Sequence, residues 1–246
     1  MTLANLIRKR EPATLANANP AKVANDGKGV REPLARLATL ALANPTEGMI
    51  ACVLKSGGDF LPAHVYALQE MCARFLPSEK FICLTDMELD CPTLALNHDW
   101  PGWWSKIELF RLPSALYMDL DTVLVGDCTE LLEAARPHDF VIMRDVYRGK
   151  ADLRAMQSSL MWWSKPHHFI YDQFKTGDRY CDGGDQIYLE WALRNHPVKY
   201  WQDITPGIKS FKADILPNGV QAEDRLIAFH GKPRPWEQTR VAYATA

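Results

Sequence analysis

Leu116-Tyr117-Met118-Asp119-Leu120-Asp121-Thr122-Val123-Leu124-Val125 decides how the rest of this 246-residue chain is read. Apolar residues run up to two carboxylates and resume beyond them. The pattern predicts a buried strand that stops being buried at the acids. Asp119 and Asp121 are separated by one residue, so on an extended chain both side chains leave one face. An apolar run offers a carboxylate no partner, and an unpaired buried charge is very costly. Two like charges side by side raise that cost unless a cation or a shared proton lies between them. Two readings stand. In one, a divalent cation sits at the carboxyl end of the strand; hard oxygen ligands suit Mg2+ or Mn2+, and substrate phosphates usually complete such sites. In the other, both acids cap a turn in solvent.

Upstream, Met49 to Lys55 is a candidate strand ended by Ser56-Gly57-Gly58. Pro62 suits a first helical position. Val65, Leu68, Cys72 and Phe75 then recur at three- and four-residue steps, which predicts a helix with one buried face, stopped by Pro77. Phe81 to Leu84 is a second strand. Strand, helix, strand in this order is a βαβ unit, which implies a parallel pair with a right-handed crossover. Gly57-Gly58 either admits a nucleotide's phosphates close to the backbone, with Lys55 and Ser56 beside them, or is a plain turn. Residues 87–101 read as a loop. Trp103, Trp104, Ile107, Leu109, Phe110 and Leu112 predict a helix feeding the Asp119 strand. Lys106 lies inside that apolar helix, where it either snorkels to the surface or points at a phosphate site.

Downstream, a short helix near Thr129 to Ala135 and a strand over Phe140 to Met143 continue the pattern. Residues 144–157 are charged and aperiodic, a loop placed to cover a site. Leu160 to Trp163 reads as a strand with Ser158 and Ser159 just before it, and Pro166 to Phe174 and Ile187 to Leu193 read as helices. Asp182-Gly183-Gly184-Asp185-Gln186 marks the start of the last one. Asp185 either caps that helix or, with Gln186, faces sugar hydroxyls, since the pair supplies acceptors and donors. Leu226-Ile227-Ala228-Phe229 is a strand, followed by His230-Gly231-Lys232-Pro233-Arg234-Pro235-Trp236. An imidazole at a strand end suits Mn2+, which takes mixed nitrogen and oxygen ligands. Gly231 permits close backbone approach, and Lys232 and Arg234 bring positive charge for a diphosphate. Taken alone, His230 is an ordinary histidine.

The chain is 47% hydrophobic and 24% charged, so a sizeable core is expected. A net charge of -2 gives no electrostatic reason for a nucleic-acid or membrane-surface partner. The apolar runs are too short to span a membrane. Residues 1–47 are rich in Ala, Asn and Pro, carry no aromatic residue, and read as a solvated tail, with Leu34, Leu37, Leu40 and Ala41 at helical spacing. The folded domain is expected over 48–246. The six cysteines, Cys52, Cys72, Cys83, Cys91, Cys128 and Cys181, show no metal-type spacing and read as free thiols in a reducing, cytoplasmic compartment.

Together, residues 49–237 resemble a GT-A fold glycosyltransferase, similar to glycosyltransferase family 8. The resemblance rests on Tyr117-Met118-Asp119-Leu120-Asp121, on Asp185-Gln186, and on Phe229-His230-Gly231-Lys232-Pro233-Arg234-Pro235-Trp236. It implies an α/β single domain with a mostly parallel central sheet and helices on both faces. It also implies transfer of a hexose from a nucleotide diphosphate sugar, a UDP-sugar by family habit, to an acceptor hydroxyl with retention. By resemblance, Asp119, Asp121 and His230 hold Mn2+ or Mg2+, and Lys232 and Lys106 meet the donor, with Arg234 beside Lys232. Asp185 and Gln186 lie beside the transferred sugar. Where the family often has Asn-Ser-Gly, this chain has Gln157-Ser158-Ser159.

Three other classes compete. A haloacid dehalogenase-type phosphatase also ends a strand with Asp-x-Asp, but wants Thr at the fifth position, where this chain has Val123, and places the motif near the domain start. A nucleotidyltransferase needs a fuller Gly-rich basic signature than Lys55-Ser56-Gly57-Gly58. A non-catalytic nucleotide-sugar-binding module has no need for the intact acids.

Overall fold

Met49–Leu54 forms β1 at the centre of a sheet, in a computed structural model that describes residues 48–177 and 182–238. The tail over 1–47, its helical spacing at 34–41, Cys181 and the end of the domain beyond 238 lie outside the described residues. Helix α1, Pro62–Phe75, starts on the proline and turns Val65, Leu68, Met71 and Cys72 into the core. β2, Lys80–Thr85, returns parallel to β1, with Ile50 opposite Phe81 and Leu54 opposite Thr85. The βαβ unit is therefore where the periodicity places it. The loop expected over 87–101 contains a short further strand, β3, Thr93–Ala95, which pairs with β2.

The helix expected before the acids is a 3-10 helix over Gly102–Arg111. Ser105 donates its hydroxyl to the Gly102 carbonyl at 2.7 Å, and the Trp104 N–H reaches the Pro101 carbonyl at 3.2 Å. These three-residue closures hold the opening turn tighter than an α-helix would. β4, Ala115–Met118, follows and pairs parallel with β1. β4 stops at the acids, as the pattern indicates, and the apolar residues beyond them form a separate strand. The Thr122 N–H bonds the Asp119 carbonyl at 3.0 Å and turns the chain, so β5, Thr122–Leu124, leaves the main sheet.

Helix α2, Thr129–Ala135, leads to β6, Phe140–Arg144, and β7 then runs over Met156–Trp163. β7 is longer than the sequence indicated, and Ser158 and Ser159 lie inside it. It is antiparallel to both β4 and β6. Helices α3, His168–Thr176, and α4, Gly184–Ala192, come next, followed by the two-residue strand β8, Lys199–Tyr200. Among the described residues the main sheet has seven strands in the order β3-β2-β1-β4-β7-β6-β8, with β7 reversed in an otherwise parallel array. A second sheet pairs β5 with β10, Leu226–Ala228, and β10 with β9, Ile208–Ser210.

Alternate residues of each central strand feed two cores. Ile50, Cys52, Leu116, Met118, Leu160 and Trp162 face one side, under α1 and α2 and against the second sheet. Met49, Ala51, Ala115, Tyr117, Met161 and Trp163 face the other, under the 3-10 helix, α3 and α4. Period-two alternation on a sheet covered on both faces produces this division. The architecture is the mixed α/β single domain expected, with helices on both faces of a mostly parallel sheet. The five described cysteines are free and buried, as their apolar setting predicted. No helix among the described residues is long and apolar enough to cross a membrane.

Candidate active site

The carboxyl ends of β1 and β4 open onto a cavity of about 640 Å³. Asp119 and Asp121 line it, at the turn between β4 and β5, and so do Lys55, Lys106, Gln186, His230 and Arg234. An open α/β sheet binds ligands at this end of its strands. The second sheet explains how residues so distant in sequence meet. β10 pairs antiparallel with β5, setting Ala228 opposite Thr122. The chain therefore leaves β10 alongside Asp121 and delivers His230 to the acids.

Each acid has a basic partner. Asp121 is 3% exposed and receives an N–H from the Arg234 guanidinium. Burial pushes its pKa up and the Asp119 charge adds to this, while Arg234 and Lys106 pull it back. Asp119 accepts from the Tyr117 hydroxyl and pairs with Lys106 Nζ at 2.8 Å. Burial works against the charge on Lys106, but Asp119 and Asp185 outweigh it and hold the lysine above its ordinary pKa. Lys106 therefore turns inward to the acids rather than out to solvent. Burial raises the Tyr117 phenol, with Asp119 adding to the effect, so it stays a hydroxyl donor.

Asp185 is not among the cavity-lining residues. It does not cap α4 either, since Gly183 stands at that position without a side-chain cap. Its carboxylate accepts from Ser158 Oγ at 2.5 Å and lies 3.5 Å from Lys106 Nζ. Gln186, one residue on, does line the cavity, and its Oε1 accepts from Arg148 at 3.3 Å. Asp185 thus fixes Lys106, and Gln186 is the member of the pair that reaches the open space.

The C-terminal stretch divides in the same way. His230 and Arg234 face the cavity; Lys232 is exposed and does not line it, because the turn at Gly231, with φ +67°, sends it outward. His230 Nδ1 meets the Gln157 side-chain amide at 2.9 Å, whereas Nε2 is buried with no hydrogen-bond partner. Burial lowers the His230 pKa, Lys212 adds to this and Asp119 opposes it, so the imidazole is neutral near pH 7. Arg234 Nε is also buried and unpartnered. The guanidinium lies over Phe60, 4.8 Å from the ring centre, while Trp236 stacks on His64 of α1 at 3.8 Å. At the β1 end, Lys55 lines the cavity but is bound by Asp86 and Asp99, each at 2.6 Å. Ser56 gives its N–H and hydroxyl to Asp86 and does not line the cavity.

Two carboxylates and an imidazole with a free ring nitrogen match Mn2+ or Mg2+ in donor type. They are not drawn into a ready-made cage: no three His, Cys, Asp or Glu side chains among the described residues are grouped to hold a metal ion. Arg234 occupies Asp121, so a cation reaches that oxygen only as the arginine releases it. The orphaned His230 and Arg234 nitrogens are the structural sign that something further belongs here, because buried polar atoms are rarely left unpaired.

Tyr117, Gln157, Asp145, Trp103 and Tyr147 also line the cavity and were not singled out as site residues in the sequence. Tyr117 sits within the quoted acid stretch, and Gln157 marks the departure from the family's Asn-Ser-Gly. Trp103 read as part of the apolar helix and Tyr147 lay in the loop expected to cover a site, but neither ring was marked out, since exposed and core aromatics look alike in one sequence.

No family model matches the chain, and no curated protein matches it. Among solved structures, the glycosyltransferase GlyE of Streptococcus pneumoniae TIGR4 is similar with a TM-score of 0.49 at 12% identity, over 78% of this chain and 57% of GlyE. The chain spans a little more than half the length of that protein.

Proposed function

We propose that the protein is a glycosyltransferase that moves a sugar, a hexose of a UDP-sugar in the first instance, to an acceptor hydroxyl. One observation carries the reading. Two acids, two basic groups and an imidazole with one unpartnered nitrogen, drawn from residues 106–234, meet in one cavity at the carboxyl end of a mostly parallel sheet. A pyrophosphate needs positive charge and hydrogen-bond donors. Arg234 supplies the charge with an unsatisfied Nε–H, and Lys106 supplies a fixed ammonium.

In this reading Asp119, Asp121 and His230 hold Mn2+ or Mg2+. When bound, the ion supplies Lewis-acid stabilisation of the departing diphosphate. Lys106, held by Asp119 and Asp185, keeps its ammonium fixed beside the acids, so little reorganisation is needed as charge develops on the leaving oxygen. Arg234 moves from Asp121 towards the diphosphate. Gln186 stands beside the transferred sugar, and because Arg148 takes its Oε1, its amide nitrogen has two N–H groups, enough for a hydroxyl of that sugar and one of the acceptor. Family resemblance implies retention; with Asp119 and Asp121 taken up by the cation in this reading, neither acid is the nucleophile, and attack without a protein nucleophile is the expected course. The five buried free thiols fit a reducing compartment such as the cytoplasm.

A thermal-shift screen of UDP-hexoses with and without Mn2+ tests the reading. A donor present at a hundred times its Kd stabilises by about 2.7 kcal/mol. The shift should require nucleotide sugar and metal together, and Asp121→Ala should lose it. Stabilisation that persists in excess chelator would refute the metal assignment. Release of phosphate from simple phosphate esters, with no response to any nucleotide sugar, would replace the transferase by a phosphatase.

A further inference from the structure

We propose that the end of the cavity beside β6 and α4 is a saccharide subsite, where Trp103 and Tyr147 take the C–H face of an acceptor sugar and Gln186 takes a hydroxyl. The inference rests on the transferase reading and adds the chemical class of the acceptor. Trp103 is 59% exposed and Tyr147 55%, yet both line the cavity that holds the acids. Large aromatic rings left open to water inside a cavity that also holds charged groups are unusual, because burying them is strongly favourable. A pyranose is the fitting occupant: its axial C–H groups form an apolar face, and its rim carries hydroxyls.

The Trp103 indole and the backbone that carries Tyr147 are both held in place. A β-carbon on Gly184 would lie 2.7 Å from Trp103 Nε1, so the indole rests directly on the first turn of α4, and only a glycine leaves it room. The Tyr147 N–H donates to Asp145 Oδ1 at 2.9 Å. The next residue, Arg148, is fixed by Asp145, by Glu190 at 2.8 Å and by Gln186. Through Arg148 the Tyr147 segment is tied to the same turn of α4 that supports Trp103. Arg148 takes Gln186 Oε1, so the amide nitrogen of Gln186 is the end available to an acceptor oxygen.

Sheet order separates this end from the nucleotide. Lys55, Gly58, Asp59 and Phe60 line the cavity after β1. β4 and its acids come next in the sheet, then β7, then β6 with Tyr147 beyond it. The acids therefore stand between the β1 end, where Lys55 and Gly58 line the cavity, and the aromatic end.

Saturation-transfer NMR on the full chain, with UDP and Mn2+ present, tests this with the methyl glycosides of glucose, galactose and mannose at millimolar concentration. At least one should show transfer to its ring C–H protons. Trp103→Ala and Tyr147→Ala, each checked for cooperative melting, should weaken binding about tenfold, and Trp103→Phe should retain most of it. No signal from any of the glycosides overturns the subsite, as do wild-type signals in both alanine variants. The UDP–Mn2+ thermal shift of the wild type is read in the same samples. Its absence counts against the transferase reading; its presence without sugar signals counts against the subsite alone.

Discussion

Asp121 carries the tightest constraint at the scale of single residues. It is buried, stands next to another carboxylate, and is neutralised by Arg234 from the far end of the chain. Removing one member of a buried ion pair leaves an uncompensated charge, which costs about 3 kcal/mol or more. Arg234→Met should therefore lower stability in metal-free buffer. It should also enlarge the thermal shift produced by Mn2+ alone, because the cation no longer competes with the guanidinium for Asp121. An equal or smaller Mn2+ shift in the variant, read by differential scanning fluorimetry, would remove Asp121 from the ligand set. His64 offers a second test. Burial, with the Arg234 charge adding to it, lowers its pKa from 6.5 to about 4, and its Nδ1 accepts the Leu61 N–H at 2.9 Å. The unfolded chain binds the proton at the higher pH, so this histidine's contribution is complete above pH 6.5 and is lost as pH falls towards 4. The Tm of wild type should drop more steeply across that window than that of His64→Gln. Parallel curves would show that the imidazole is not held neutral.

At the scale of elements, the segment over 230–237 behaves as a strap. Trp236 stacks on His64, and Phe60 meets Trp236 edge-on at 5.8 Å while lying under Arg234. The strap's hold on α1 sets where Arg234 lies. On the transferase reading, Trp236→Ala should weaken UDP-sugar binding about fivefold by isothermal titration, with Trp236→Phe restoring most of it, since an aromatic contact of this kind is worth about 1 kcal/mol. Unchanged affinity in Trp236→Ala would free Arg234 from any dependence on the strap. Elements with one strong periodicity were legible beforehand. β1, α1 and β2 lie where short apolar runs and three- and four-residue spacing put them, because Pro62 and Pro77 bracket the helix. That a strand ends at the acids was legible; that Thr122-Val123-Leu124 joins a second sheet was not, because those residues resemble the ones before the acids. The turn comes from a backbone hydrogen bond between Thr122 and Asp119, which leaves no mark on composition. The reversal of β7 escaped for a related reason: a strand covered on both faces has the same residue pattern in either direction. Asp119, Asp121, His230 and Arg234 could be picked out by residue type. That Asp185 supports Lys106, while its neighbour Gln186 reaches the cavity, depends on helix phase at the glycine start of α4.

For the whole molecule, the shared sheet decides how stability is distributed. Two cores of different composition lie on opposite faces, one under α1 and α2 and one under α3 and α4. Each depends on the same strands, since Trp162 feeds the first and Trp163 the second from adjacent positions of β7. Opening either face alone would expose the sheet that the other needs. The described domain should therefore unfold as one unit, although its two faces share few side-chain contacts. Leu68→Ala on one face should cost about 2–5 kcal/mol and Trp163→Ala on the other about 3–5 kcal/mol. Both should shift a single urea transition, seen at the same midpoint by far-UV circular dichroism and by indole fluorescence. With their side chains on opposite faces of the sheet, the two losses should add to within about 0.5 kcal/mol in the double variant, provided enough stability remains to measure. Separate midpoints for the two probes, or a variant that melts one face while the other keeps its secondary structure, would mean that the sheet does not couple them. The cavity would then sit at the boundary of two independently folding halves.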